Sequence, residues 1–168
     1  MTRVSSSLAD LVEILNDGIG FYRDAANKVA DPQLSEFFQK MSHLKKTIAA
    51  DLNAEIANEG DEPREAGTWL GGMRKAYVDL LGRMGDQTVA KTIAELEEHE
   101  DRLMAAFRES ALSDKSARVR ELALAHFPEV EKMHAVMRQL KQQSESGMLG
   151  QAGGERSGSS RGQGFNPR

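Results

Sequence analysis

The sequence contains no cysteine, which excludes disulfides, thiolate metal sites and cysteine nucleophiles. Any metal would have to be held by Glu, Asp or His. No stretch reaches the roughly 18 apolar residues of a membrane span, and Met1-Thr2-Arg3-Val4 passes directly into Ser5-Ser6-Ser7 without a basic-then-apolar leader. A cytoplasmic protein with no membrane span is therefore expected. No segment alternates apolar and polar with period two, so strands are not expected. Basic charge is also sparse, with 22 Lys and Arg against 26 Asp and Glu. Residues 142–168 hold Arg156, Arg161 and Arg168 against Glu145 and Glu155. Neither this tail nor the more acidic body has the concentrated basic face that binding phosphates requires, so nucleic acid is not an expected partner. A Gly-rich phosphate loop between a strand and a helix and a Ser-His-Asp arrangement are both missing.

What is present is helical periodicity. Ser7 with Asp10 three residues later resembles a capping box and introduces an apolar row at Leu8, Leu11, Val12, Leu15, Ile19, Tyr22, Ala26 and Val29. Gly18 and Gly20 inside that row permit close helix packing rather than mark an end. Asp31-Pro32 supplies the next N-cap and first turn, opening a second helix with Leu34, Phe37, Phe38, Met41, Leu44, Ile48, Leu52 and Ile56. Residues 59–68 read as a polar loop. A shorter amphipathic helix is expected from about Thr68 to Met84, with Trp69, Leu70, Met73, Tyr77, Leu80 and Leu81 on one side. Together they read as a long crossover between two halves of a bundle. A third bundle helix carries Val89, Ile93, Leu96, Leu103 and Phe107, and a fourth carries Val119, Leu122, Ala123, Phe127, Val130, Met133, Met137 and Leu140. The fold class is all-α, divided into a flexible N-terminus at 1–6, a four-helix bundle at 7–141 and a flexible Gly/Ser-rich tail at 142–168.

Several polar side chains intrude on these apolar stripes. Glu100 lies near the centre of the third helix's stripe and Glu97 inside its margin; His134 lies within the fourth helix's stripe and Glu131 at its edge. Lys45 intrudes on the second helix between Met41, Leu44, Ile48 and Leu52. Unpaired charges are too costly to bury, so these residues should meet one another, a metal or water. Three readings are open at this point. His134 is a satisfied core histidine and Glu100 a partly solvated helix residue; or Glu100, Glu131 and His134, with Glu97 as an extra carboxylate, bind a metal such as Fe or Mn; or the Lys45 ammonium stands where a metal would sit and no cofactor is used. His43 projects away from its stripe, His99 lies at a margin and His126 needs only a partner. The eight Met residues mostly occupy core positions, as gap-filling side chains rather than a copper box.

The two halves align on Tyr22-Arg23-Asp24-Ala25 against Phe107-Arg108-Glu109-Ser110, and on Phe38 against Phe127. In this register Glu100 corresponds to Leu15, Glu131 to Ser42 and His134 to Lys45. The segments Asn16 to Ala26, Asp31-Pro32-Gln33-Leu34, Arg74 to Leu80, Glu100-Asp101 with Phe107-Arg108-Glu109, and the helix around His134 resemble the bacterial four-helix-bundle family catalogued as domain of unknown function 2383. The resemblance covers about residues 7–141. It implies a ferritin-like bundle but no established activity. A complete ferritin-like two-metal site would need a Glu on the first helix and Glu-x-x-His on the second. Here those places hold Leu15, Ser42 and Lys45.

The expected role is a non-enzymatic, self-associating bundle with a degenerate metal site. Two alternatives stand beside it: a metal-dependent oxidase or iron-handling protein, and a helical adaptor docking a protein partner through Trp69 and Tyr77.

Overall fold

The structure, a computed structural model, describes residues 2–62 and 87–152. These residues form a four-helix bundle with no strand among them: α1 (Arg3–Lys28), α2 (Pro32–Asn58), α3 (Gln87–Ser113) and α4 (Ala117–Ala152).

Each helix end has a local cause. Thr2 caps α1, its hydroxyl accepting from the Ser5 backbone N–H at 3.0 Å. The Asp31 carboxylate accepts from the Gln33 N–H at 2.9 Å, with Pro32 in the first turn, where no amide donor is needed. At the end of α2, the Gly60 N–H reaches the Ala57 carbonyl and the Asp61 N–H reaches the Ile56 carbonyl. This 6→1 and 5→2 pairing requires a left-handed residue, and Gly60 supplies it with φ 85°. Ser116 caps α4 by accepting from the Val119 N–H at 3.3 Å.

Two boundaries differ from those expected. α1 begins four residues before Ser7, because Thr2 caps it and Ser5 is fully buried, so residues 3–6 are helical. α4 runs past 141 to Ala152, because Gln142, Gln143 and Glu145 continue the helix. The rest of the expected tail lies outside the described residues, as does the crossover helix expected at 68–84, with Trp69 and Tyr77.

α1 pairs with α2 and α3 with α4 as two antiparallel hairpins, and the principal seam between the hairpins joins α1 to α3. Tyr22 of α1 bonds Glu100, whereas the start of α1 shares a groove with Ala106 to Ser113, so α1 and α3 run antiparallel. Glu55 of α2 meets Arg118 and Lys45 meets Met133, so α2 and α4 do likewise. It follows that α2 and α3 run in the same direction. The end of α2 and the start of α3 lie at opposite ends of the bundle, about 40 Å apart for helices of this length.

The core is the sum of the four apolar stripes. Leu8, Val12, Leu15, Phe38, Leu52, Leu103, Phe107, Val130 and Met137 are completely buried, each large side chain contributing about 1.5–3 kcal/mol. No helix among the described residues is long and apolar enough to cross a membrane.

Candidate functional site

The middle of this core is polar. Lys45 and Glu100 are both fully buried, and the Lys45 Nζ lies 2.5 Å from Glu100 Oε1. The same oxygen accepts the Tyr22 hydroxyl at 2.7 Å. Lys45 Nζ also lies 4.9 Å from the centre of the Tyr22 ring and 3.5 Å from Met133 Sδ. One residue from each of the other three helices therefore closes on the ammonium that α2 supplies. Ion, aromatic face and soft sulfur are all partners that a desolvated cation accepts.

Burial and pairing pull the titrations in known directions. Loss of water lowers the Lys45 pKa, and the Glu100 charge and hydrogen bond oppose that fall. Tyr22 is raised well above 10, first by burial and then by the neighbouring Glu100. Glu100 Oε2 is buried with no hydrogen-bond partner among the described residues, so the carboxylate spends both bonds through one oxygen.

His99 lies beside this centre. It is 2% exposed, its Nε2 has no partner among the described residues, and its ring meets Phe21 edge-on at 5.6 Å. Burial lowers its pKa to about 3, with the positive charges of Lys45 and Arg102 acting in the same direction. Gly18 makes room for both groups: a Cβ there would collide with His99 Nε2 and come within 2.8 Å of Lys45 Cδ and Cε. This position fulfils the close packing that the helix's glycines suggest.

A second cluster occupies the seam between α3 and α4. His134 Nε2 is in direct contact with Asp101 Oδ1 and lies 4.0 Å from Glu97 Oε1. Glu97 and Asp101 are four residues apart and project about 40° from each other, whereas Glu100 lies about 60° to the other side of Glu97. α3 thus turns Glu100 inward and the other two carboxylates toward α4. Lys141 holds the second oxygen of Glu97 at 3.4 Å.

The residues singled out in the sequence therefore divide into two groups and one outlier. Lys45 and Glu100 meet at the centre; Glu97 and His134 meet at the seam. Glu131 is exposed and joins neither group. Three-residue spacing turns it about 60° from His134, and only His134 falls on the face that α3 covers. The donor set Glu100, Glu131 and His134 is consequently not assembled. Asp101 is the residue that sequence reasoning missed. Its side chain is 54% exposed, so it breaks no apolar stripe and the stripe pattern gives no signal for it. His126 finds its partner on α2, in Asp51 at 3.6 Å.

Residues 3–113 match the family described as domain of unknown function (DUF2383). The chain belongs to this family. Comparison with curated proteins and with solved structures gave no match. Within this DUF2383 chain the matched segment holds Lys45, Glu97, Glu100 and Asp101, and it ends before the helix that supplies Met133 and His134.

A two-metal centre does not fit the residues present. Such a centre needs bridging carboxylates around both ions. In this DUF2383 chain an ammonium occupies the face of Glu100, and Leu15 and Ser42 stand at the matched positions of the other half, with Ser42 donating to the Ile19 carbonyl at 3.1 Å. Grooves of about 450, 360 and 300 Å³ among the described residues are lined by other side chains, not by Lys45, Tyr22 or Glu100.

Proposed function

We propose that this DUF2383 chain is a non-enzymatic, self-associating helical bundle of the ferritin-like kind, in which Lys45 takes the place of a central metal. The observation that carries this reading is the fully buried Lys45–Glu100 pair at 2.5 Å. An ammonium neutralises the carboxylate as a cation would, but it offers no open coordination position and no redox couple. The Tyr22 hydroxyl and the Met133 sulfur complete its surroundings, so the centre ties all four helices together. Its role is then architectural. Among the described residues Leu44, Leu112, Leu124 and Val136 are large exposed apolar side chains, and association would cover part of that surface.

Ferrous ion mixed aerobically with the purified chain should be oxidised no faster than in buffer. Light scattering on the same sample should give a mass above that of one chain. Catalysed oxidation that Glu100→Gln abolishes would overturn the central assignment, and a monomer throughout the micromolar range would remove self-association.

A further inference from the structure

The seam between α3 and α4 lies apart from the Lys45 centre and uses no residue of α1 or α2. There we propose that Glu97, Asp101 and His134 form a mononuclear site for a divalent first-row transition ion. The three donor atoms lie within 4.8 Å of one another. Ligands at about 2.0–2.2 Å from a shared ion stand within that spread, so modest side-chain rotation brings them into the coordination sphere. Asp101, more than half exposed, is the donor free to swing away from the imidazole and admit the ion.

The chemistry of the set selects the class of ion. One imidazole nitrogen with two carboxylates suits Zn(II), Mn(II), Fe(II) or Co(II), whereas Mg(II) and Ca(II) prefer all-oxygen surroundings. The site is also built rather than merely acidic. His134 is 8% exposed and Glu97 7% exposed. Lys141 engages Glu97 Oε2, which leaves Oε1 directed at the imidazole. A partner that fixes a ligand carboxylate in this way is a recurrent feature of metal sites. The exposed flank at Asp101 gives the ion an entry path and leaves remaining positions to water.

The test uses the full chain, stripped with chelator and dialysed, then titrated with Zn(II) by calorimetry and with Mn(II) by loss of the free-ion spin-resonance signal. One ion should bind per chain, and Mg(II) at equal concentration should not displace it. Asp101→Asn and His134→Gln should each weaken binding by at least about tenfold, since even partners beyond the ligands cost that much. Glu131→Gln should leave affinity unchanged. Asp101 is on the surface, so its variant tests the site even where His134→Gln disturbs packing.

Failure of the wild-type chain to bind a single ion saturably would overturn the site and leave a plain histidine–aspartate hydrogen bond. Undiminished binding by Asp101→Asn would overturn it too. An ion lost on Glu131→Gln would refute this donor set. Neither that result nor a failed titration would touch the Lys45 assignment, which the ferrous oxidation measurement tests separately.

Discussion

Lys45 and Glu100 show how a charged residue can be indispensable without being a net source of stability. Removing one partner leaves the other an uncompensated buried charge, at a cost of about 3–5 kcal/mol. Lys45→Met and Glu100→Gln should each fall in that range in denaturant unfolding, and the double variant should recover much of the loss. Additive losses would mean that the two groups are not energetically coupled. His99 gives a separate dependence on pH. Its folded pKa, about 3, lies below the ordinary 6.5, so the unfolded chain takes up a proton that the folded chain refuses. The stability this confers is fully present above about 6.5 and lost as pH falls from there toward 3. In chelator-treated protein, His99→Leu should flatten the unfolding free energy across that window; an unchanged slope would contradict a buried neutral imidazole. At this scale the sequence reveals charge on an apolar stripe, and so marks Lys45 and Glu100. It does not reveal Asp101, whose meeting with His134 depends on how closely α3 and α4 approach.

Helical elements are legible wherever apolar spacing is sustained, and their ends only where chemistry marks them. Asp31-Pro32 fixes the start of α2, and Gly60 fixes its end through a left-handed turn. The start of α1 is less apparent, because Ser7 and Asp10 imitate a cap while the operative one is Thr2. Only the folded chain distinguishes them: Ser5 is completely buried beside Thr2, their hydroxyls 2.7 Å apart. Thr2→Ala should therefore destabilise the protein by about 1 kcal/mol, measured as a shift in the denaturation midpoint. Ser7→Ala should cost distinctly less, and equal losses would restore the later start. The extension of α4 has the opposite origin, since glycine and serine enrichment suggests an end before the helix-forming residues have run out.

For the molecule as a whole, helix order and direction follow from a few cross-helix bonds. Arg118 of α4 makes a two-pronged pair with Glu55 of α2, at 2.9 and 3.1 Å, and fastens the hairpins near one end. The Lys45 centre fastens them in the middle. The all-α class is evident from periodicity alone, because no stretch offers a competing pattern. The pairing of α1 with α3 is not, since each stripe could in principle pack against any other. Gly18 bears on how such a molecule can change over time. Three helices converge there, and the missing side chain is what lets Lys45 and His99 lie side by side. Positions 18, 45 and 99 should therefore vary as a linked trio in related chains, with a side chain at 18 appearing only where both 45 and 99 have become smaller, so that the lysine centre is inherited whole or abandoned whole.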